Sequence, residues 1–327
     1  MAVLVTGLGY MGTALAEELR QRGETVVGLE NGFSTDPAAL DRLAARGVRL
    51  VSGDVAEPAD VERAFALGPI DTVYHFAAQA SAHPAAAPPE YTERSNLQGP
   101  RVVLDATVRH GARSIVFASS FKVYGDSPVG RVDEGRPYGQ FQDLSHLSKV
   151  YVEKLLELYA LRHGLRCLAL RFGIVYGLGP VFKTDERFMT APNKFCRQAA
   201  RGEPLTVYGG GRVHAGFVHV ADAVRATLAA AAHEGFAGYA PLNVVGEVAS
   251  LAALARTVAE VAGQRGRSVP IDGLAPASPD DQMSTFAVTS ALDALPFRYE
   301  HTLRDSLGDV LDHFIAAERV STAEVPA

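Results

Sequence analysis

A glycine-rich turn between a predicted strand and a predicted helix constrains the fold of this chain more than any other feature. In VLVTGLGYMGTALAEEL, Gly7, Gly9 and Gly12 stand in G-x-G-x-x-G order directly after an apolar, strand-like run. Glycines at these positions permit a tight turn, close approach of the backbone to a pyrophosphate and close packing of helix against strand. The helix amino terminus then faces the negative charge of the ligand. The turn therefore predicts a βαβ unit that binds a dinucleotide.

The first half of the chain alternates between β-branched runs and amphipathic helical segments. Predicted strands lie near 2–6, 25–29, 48–52, 71–76, 113–118 and 166–171, with helices near 12–22, 37–46, 58–67, 91–110 and 144–163 between them. Strict alternation implies right-handed crossovers and a parallel, doubly wound α/β sheet. We therefore predict a nucleotide-binding domain over residues 1–177.

The alternation ends after Gly177, where a region punctuated by proline and glycine begins. Helices are predicted near 190–202, 219–232, 249–263 and 302–318, with short apolar strands such as 205–208 and 268–271 among them. Residues 178–327 are expected to form a smaller substrate-binding lobe over the carboxyl ends of the sheet strands, with a return to the first domain near 215–245.

Composition excludes several classes of protein. The 327 residues carry a formal charge of -6 from interspersed charges, which favours neither nucleic acid nor an anionic membrane as a partner. Cys167 and Cys196 are far apart and lack metal-ligand spacing, which argues against a disulfide framework and a metal site. No apolar run approaches the roughly 20 residues of a membrane helix. We expect a cytoplasmic protein that acts on a small molecule.

Glu30 ends the second predicted strand, 30 − 12 = 18 residues after the last glycine of the turn. A carboxylate there can accept hydrogen bonds from both hydroxyls of the adenosine ribose, and it would repel a 2′-phosphate. The next residues, Asn31, Gly32 and Phe33, include no arginine to hold that phosphate. The sequence therefore favours NAD over NADP.

Motifs along the whole chain resemble the extended short-chain dehydrogenase/reductase family, the NAD-dependent epimerases and dehydratases of nucleotide sugars. They are TGLGYMG, LEN, SGDV, VYHFAAQA, Asn96-x-x-Gly99, VFASSFKVYGD, SHLSK and LRFGIVYG. The stretch TAPNKFCRQAARGEPLTVYGGG is also similar to UDP-sulfoquinovose synthases. The resemblance implies a Rossmann fold, NAD, a sugar or nucleotide-sugar substrate, and a homodimer formed through the helix that bears Lys149.

The resemblance also implies which residues hold the cofactor. Asp54 and Val55 would contact adenine, and Phe76, Ala77 and Ala78 would line the phosphate and ribose on the nicotinamide side. Most extended members have one more residue between the first two glycines, so the local backbone route of this turn is an open question. The expected cofactor-binding set is Gly7, Gly9, Tyr10, Met11, Gly12, Glu30, Asn31, Asp54, Val55, Phe76, Ala77, Ala78 and Lys149.

The catalytic positions keep the lysine of the family's Tyr-x-x-x-Lys motif and lose its tyrosine. Lys149 is present, but Ser145 stands four residues before it. In the family the lysine holds the nicotinamide ribose and lowers the pKa of the phenol, which takes the substrate proton. A serine hydroxyl is a much weaker acid and reaches less far, although Ser145 could hold a water that relays the proton. Ser120 is expected to bind the reacting hydroxyl.

Four nearby side chains are alternatives for the missing base. His146 is rotated by about 100° from Ser145 on a helix, which favours a solvated surface histidine. Tyr138 lies in a loop that could fold inward, Tyr151 points away from the lysine face, and Tyr176 is expected to pack structurally. The sequence does not favour any of these four side chains as the base.

The substrate side also departs from the family. Phe121 and Lys122 occupy the positions where dehydratases carry an acidic pair, which disfavours 4,6-dehydration. Ile174 replaces a common asparagine, and Ala215 replaces an arginine that binds the substrate diphosphate; a second such arginine is missing near 282–284. Losing bidentate guanidinium contacts weakens diphosphate binding. The candidate substrate contacts are Ser120, Asn193, Arg212, His214 and Lys183.

Three hypotheses follow. The chain is an NAD-dependent enzyme that oxidises a secondary alcohol of a sugar or nucleotide sugar, either transiently, as an epimerase does, or outright. Alternatively, it is an NAD-binding protein of this fold with little redox activity, serving as a sensor or subunit. A third possibility is an engineered Tyr-to-Ser variant, which would explain Ser145 but not Ala215.

Overall fold

The computed structural model describes residues 2–81, 83, 85–126, 128–182, 185–276 and 285–323, with side chains to residue 319. Fourteen strands are assigned in this part of the chain: β1 Ala2–Thr6, β2 Thr25–Glu30, β3 Arg49–Ser52, β4 Ile70–His75, β5 Ser114–Ser120, β6 Gly130–Val132, β7 Arg166–Phe172, β8 Ile174–Tyr176, β9 Leu205–Gly210, β10 His214–His219, β11 Tyr239–Val244, β12 Glu247–Ser250, β13 Ile271–Leu274 and β14 Phe286–Val288.

Helices connect most of these strands. They are α1 Tyr10–Gln21, α2 Pro37–Ala45, α3 Pro58–Phe65, α4 Pro89–Glu93, α5 Gly99–Arg109, α6 Leu144–His163, α7 Ala191–Arg201, α8 Val220–Ala232, α9 Leu251–Gly263 and α10 Leu303–Ala323. A π-helical turn, Arg94–Gln98, joins α4 to α5, and short 3-10 turns occur at Phe121–Tyr124, Glu186–Phe188 and Ala291–Ala294.

The centre of the fold is a seven-stranded sheet in the order β3-β2-β1-β4-β5-β7-β11. Every pairing in it is parallel. All five residues of β1 are buried, as expected for a central strand covered by helices on both faces. The predicted doubly wound α/β sheet is therefore confirmed. The order reverses between β1 and β4, where ligands of such sheets bind in the crevice at the carboxyl ends.

The second half of the chain contributes to both the large sheet and a smaller layer. β11 pairs with β7, so Tyr239–Val244 returns to the large sheet, and α8 packs against α1. Helices α7, α9 and α10 enclose a separate core that includes Leu205, Phe217 and Leu254. β8 and β10 of the sheet β12-β10-β8 contribute Tyr176 and Phe217 to this core, and β8 begins directly after the carboxyl end of β7. The division of the chain at residue 177 stays a prediction.

A buried ion pair fixes α6 against the sheet. Arg171 Nη2 on β7 lies 2.6 Å from Glu153 Oε2, and both side chains are almost fully buried. Tyr239 donates to the same carboxylate oxygen across 2.9 Å. Glu153 follows Lys149 by one helical turn. The pair therefore sets how α6 presents Lys149 to the carboxyl end of β5, because breaking a buried charge pair is strongly unfavourable.

Within the described residues, no helix combines the length and the apolarity required to cross a bilayer.

Candidate functional site

Glycine is required for different structural reasons at the three positions of the turn after β1. Gly7 has φ +78°, and a Cβ there would lie 2.4 Å from the Ala77 backbone. A Cβ on Gly12 would lie 1.9 Å from the carbonyl oxygen of Gly7, so this glycine lets α1 approach the turn. Gly9 has no atom within 4 Å of its Cβ position, yet it lines the cavity at this edge of the sheet. Packing explains Gly7 and Gly12, whereas Gly9 leaves space on the ligand side.

The amino terminus of α1 opens onto this space. Gly9 is the N-cap residue, no side chain caps the helix, and its first turn carries no acidic residue. The free N–H groups and the helix dipole therefore favour an anion such as a pyrophosphate. The shorter spacing between the first two glycines still allows a turn from β1 directly into α1.

The carboxylate of Glu30 stands at the carboxyl end of β2, as predicted. Oε2 accepts from the N–H of Leu8 across 2.7 Å, and Oε1 accepts from the N–H of Gly32 across 2.8 Å. Each carboxylate oxygen has a further lone pair, so both can also accept a ribose hydroxyl. The next residue, Asn31, donates through Nδ2 to the Tyr91 hydroxyl across 3.1 Å. This region has the donor and acceptor chemistry that an adenosine ribose requires.

A single cavity of about 570 Å³ extends from the glycine turn to the amino-terminal half of α6. That volume is within the usual range of about 300–1,000 Å³ for small-molecule sites. It brings together all but one of the residues expected to bind the cofactor: Gly7, Gly9, Tyr10, Met11, Gly12, Glu30, Asn31, Val55, Phe76, Ala77, Ala78 and Lys149. A dinucleotide therefore fits along this cavity, from the glycine turn to α6.

Asp54 is the exception. Its Oδ1 accepts from the N–H of Ala56 across 2.9 Å, and its Oδ2 lies 3.2 Å from Arg94. The carboxylate thus holds the loop that carries Val55, and Val55 itself lines the cavity. A direct contact between Asp54 and adenine stays a prediction.

Lys149 projects from α6 toward the end of β5. Its Nζ donates to the carbonyl oxygen of Ala118 across 2.7 Å and lies 4.7 Å from the centre of the Phe117 ring. Burial lowers the pKa of Lys149 to about 8, while the nearby Glu153 carboxylate opposes that shift. A cation at this position can donate to ribose hydroxyls on the nicotinamide side of a bound dinucleotide.

Both predicted serines line the same cavity. Ser120 Oγ accepts from the N–H of Lys122 across 3.2 Å, which leaves its own hydrogen available to a ligand oxygen. Ser145 is buried, and its Oγ donates to the carbonyl oxygen of Gln79 across 3.2 Å. Because a hydroxyl has one hydrogen, Ser145 can offer a ligand only its lone pairs in this arrangement.

His146 contradicts its sequence-based prediction as a solvated helix histidine. Its side chain is only 18% exposed, it lines the cavity beside Lys149, and its Nδ1 lies 2.5 Å from Asp143 Oδ2. The prediction took the rotation of about 100° from Ser145 to put His146 off the face that bears Lys149. Relative to Lys149, however, His146 stands three residues earlier, a spacing that places side chains on neighbouring parts of one helix face.

The tyrosines considered as replacement bases are engaged elsewhere. Tyr138 donates to Glu153 Oε2 across 3.0 Å, so this loop residue joins the buried ion pair of Glu153 and Arg171. Tyr151 is 42% exposed on the outside of α6. Tyr176 is fully buried beside His219, and burial raises the pKa of its hydroxyl. None of the three is among the residues that line the cavity.

Apolar side chains occupy three positions on the substrate side of the cavity. Ile174, Val213 and Ala215 line it. His214 also lines it, with Nδ1 3.1 Å from the carbonyl oxygen of Arg212. Lys183 and residues 282–284 lie outside the described residues.

Arg212 and Asn193 are tied to the protein. Arg212 is exposed and donates to the carbonyl oxygen of Pro276 across 3.4 Å. Asn193 is buried and accepts from the N–H of Gly177 across 3.2 Å, although it also borders the cavity. Of the predicted substrate contacts, Asn193 and His214 therefore line the cavity, whereas Arg212 is not among its lining residues.

Several cavity residues were not predicted from sequence. Tyr91 stacks on Phe33 with ring centres 4.0 Å apart, beside Glu30. Lys122 pairs with Asp126 at 2.6 Å near His146. The Asp143-x-x-His146 spacing at the start of a helix was a readable signal for the histidine, because an N-cap residue and N3 lie close together. The stacked pair of Tyr91 and Phe33 joins α4 to a loop that is distant in sequence. No spacing in the sequence indicates this contact.

Comparison with known proteins agrees with this geometry. Residues 3–244 match the NAD dependent epimerase/dehydratase family. UDP-glucuronate 4-epimerase 1 of Arabidopsis thaliana is 31% identical over 238 residues, which cover 70% of this chain and 54% of that protein. The chain thus spans about half the length of this relative. A dTDP-4-dehydro-6-deoxy-D-allose reductase of a Streptomyces species is 33% identical over 288 residues, covering 81% of this chain and 82% of that one.

Among solved structures, UDP-glucose 4-epimerase of Thermus thermophilus, in complex with NAD, superposes with a TM-score of 0.81 at 28% identity. The match covers 97% of this chain and 100% of that one. A UDP-glucose 4-epimerase of Brucella ovis, also in complex with NAD, gives a TM-score of 0.82 at 25% identity, covering 96% of this chain and 98% of that one.

Proposed function

The chain belongs to the NAD-dependent epimerase/dehydratase family, and from that premise we propose that it oxidises a secondary alcohol of a nucleotide sugar or related sugar, transiently or outright. This proposal rests on one observation: the residues predicted to bind the cofactor and the residues predicted to act on the substrate line the same cavity. The glycine turn and Glu30 lie at one end, and Lys149 and Ser120 lie toward the other. NAD supplies the acceptor, and on return the donor, of the hydride.

The protein side chains divide the remaining work. The amino terminus of α1 binds the pyrophosphate, and Glu30 accepts hydrogen bonds from the adenosine ribose. Lys149 donates to the nicotinamide ribose from the position where Nζ now contacts Ala118. Ser120 donates its hydrogen to the reacting oxygen of the substrate. Ser145 occupies the position of the family's tyrosine, which makes the acid-base step of this site atypical.

The sugar itself is inferred from chemistry and relatives. Relatives and structural neighbours are named for UDP-glucose, UDP-glucuronate and a dTDP-sugar. Ala215 and Ile174 make the substrate half of this cavity less polar than the family pattern implies. From these two positions we infer a nucleotide sugar bound with a weak diphosphate contact, or a smaller sugar.

A test is direct. Purified protein would be loaded with NAD, and its near-ultraviolet absorbance recorded before and after adding UDP-glucose, UDP-glucuronate or the free sugars. We expect a substrate-dependent rise from reduced nicotinamide. NAD-loaded protein that gives no rise with any of these compounds would contradict the proposal.

The second candidate function is that of an NAD-binding sensor or subunit with little redox activity. The hydrogen bond from Ser145 to Gln79 favours it, because that hydroxyl is turned to the backbone. In that case the same titration would show tight binding of NAD, with no reduction by any sugar.

We also infer a homodimer formed through α6. Leu147, Tyr151 and Leu161 are 50%, 42% and 84% exposed on this helix, and Leu147 and Leu161 lie two heptads apart, on one stripe. Light scattering should give twice the monomer mass, and Leu161→Arg should give a monomer. An unchanged mass for Leu161→Arg would contradict an interface on this stripe.

A further inference from the structure

His146 and Asp143 form a hydrogen-bonded pair at the start of α6. Asp143 is the N-cap residue, and its Oδ1 accepts from the N–H of His146 across 2.9 Å. Its second oxygen, Oδ2, lies 2.5 Å from His146 Nδ1. Capping requires only the first of these bonds. The second one fixes the imidazole ring, which lines the cavity within one turn of Lys149.

The carboxylate determines which ring nitrogen carries the proton. Oδ2 of Asp143 is an acceptor, so a neutral imidazole bonded to it holds its hydrogen on Nδ1. The other nitrogen, Nε2, then carries a lone pair that can accept a proton. Donation from Nδ1 to a carboxylate also stabilises the ring once it becomes an imidazolium.

The space and the charges around the ring suit this role. Ser145 has a small side chain, where the family's phenol would occupy the cavity. The charged groups around the ring include Asp143 on its own helix and Asp126, which interacts with His146 and pairs with Lys122 in the segment after β5. Lys149 lines the same cavity. Two carboxylates thus offset two lysines around a ring that can gain a positive charge.

We propose that His146, oriented by Asp143, is the acid-base residue of this site in place of the family's tyrosine. This inference rests on the proposed function. The O–H proton of the substrate alcohol passes to Nε2 of His146, which becomes an imidazolium. The carbinol hydrogen leaves with its electron pair as the hydride that NAD accepts, and the alcohol becomes a carbonyl. On return, the carbonyl carbon regains the hydride, and its oxygen regains the proton from Nε2.

Five proteins are compared: wild type, His146→Gln, Ser145→Tyr, the double variant Ser145→Tyr/His146→Gln, and the control His163→Gln. Each is loaded with NAD, mixed with UDP-glucose, and followed by the near-ultraviolet absorbance of reduced nicotinamide in a single turnover. His146→Gln should be slower than wild type by about 100-fold or more, the usual contribution of a general base. The double variant should recover about tenfold or more over His146→Gln, because a phenol beside Lys149 supplies a second base. His163→Gln, at the exposed end of the same helix, should match wild type.

The outcomes separate this inference from the proposed function. A His146→Gln protein that is folded and within about threefold of wild type overturns the role of His146 and leaves the proposed function standing. A wild type that is inert while Ser145→Tyr is active overturns both the role of His146 and hydride transfer by the natural site. If wild type and Ser145→Tyr are both inert, the proposed function fails for UDP-glucose.

A readout independent of turnover tests the proton position. In protein labelled with ¹⁵N-histidine, the neutral ring of His146 should carry its hydrogen on Nδ1, with its signal identified by its loss in His146→Gln. Asp143→Asn retains an acceptor for the cap but loses the negative charge. It should shift this ring signal without changing the melting temperature, and should slow the single turnover by about tenfold or more. A neutral ring protonated on Nε2, or a ring signal unchanged by Asp143→Asn, overturns the pair.

Discussion

Ser145 Oγ donates its only hydrogen to the carbonyl oxygen of Gln79 across 3.2 Å, inside the cavity that also holds Lys149. The residue that the sequence resemblance aligns with the family's tyrosine thus donates its proton to the backbone and not to a ligand. A redox reaction in this cavity therefore needs another acid-base group. His146 is the side chain that the same helix places beside it.

The glycine turn allows binding and folding to be separated by two single substitutions. Gly9→Ala adds a methyl group where no protein atom lies within 4 Å, so the protein should fold normally and lose affinity for NAD by about tenfold or more. Gly12→Ala places its Cβ 1.9 Å from the Gly7 carbonyl oxygen and should destabilise the fold by about 1–3 kcal/mol. Calorimetric titration with NAD and urea unfolding measure the two effects. Equal losses of stability in both variants would contradict this assignment.

Glu30 should control both cofactor affinity and cofactor choice. Glu30→Gln keeps one acceptor oxygen for the N–H of Leu8 but loses the charge and the second acceptor. We expect NAD to bind about tenfold more weakly, since a hydrogen bond to a charged group contributes about 1.5–3 kcal/mol. The penalty against NADP should shrink, because the repulsion of its 2′-phosphate is removed. Glu203→Gln, an exposed substitution away from the cavity, serves as the control. An unchanged ratio of the two affinities would contradict this role.

Lys149 should reduce the stability of the fold at neutral pH. Burial lowers its pKa from 10.5 to about 8, so between about pH 8 and 10.5 the unfolded chain binds more protons than the folded one. The contribution of Lys149 to the free energy of unfolding therefore becomes more favourable as the pH rises through that window and less favourable as the pH falls through it. Lys149→Met should be more stable than wild type by about 2 kcal/mol at pH 7, with a smaller difference at pH 10. Urea unfolding at both pH values measures this, and a less stable variant at pH 7 would contradict the account.

Ala215 should limit the affinity for a nucleotide diphosphate. Ala215→Arg adds a guanidinium to the cavity wall and should strengthen the binding of UDP to NAD-loaded protein by about tenfold or more, since Arg–phosphate contacts are often bidentate. Thr206→Arg adds the same charge at an exposed position and should leave UDP affinity unchanged. If both variants gain equally, net charge and not a specific contact would explain the change.

The sequence predicted the fold in detail because its signals are local. Each strand of the large sheet that was predicted from β-branched runs is present, and the glycine turn lies where the strand order reverses. β11 was the least local element, since Tyr239–Val244 pairs with a strand about 70 residues earlier. Only a broad return near 215–245 was predicted for it.

The catalytic half of the site was less predictable. The direction of a helix side chain was estimated from one neighbour, whereas the ring of His146 is directed by its bond to Asp143. Tyr138 could have folded inward by sequence alone, but the buried pair of Arg171 and Glu153 attracts its hydroxyl away from the cavity. Both outcomes depend on long-range or side-chain hydrogen bonds, which hydrophobic periodicity does not encode.

The central claim is that hydride transfer occurs in this cavity with serine in the tyrosine position. The most direct measurement uses NAD-loaded wild-type protein incubated with UDP-glucose that carries deuterium on its ring carbons, followed by mass spectrometry of the released cofactor. The account predicts reduced cofactor that carries deuterium from the sugar. Cofactor that stays oxidised and unlabelled, while Ser145→Tyr yields the labelled form, would contradict it.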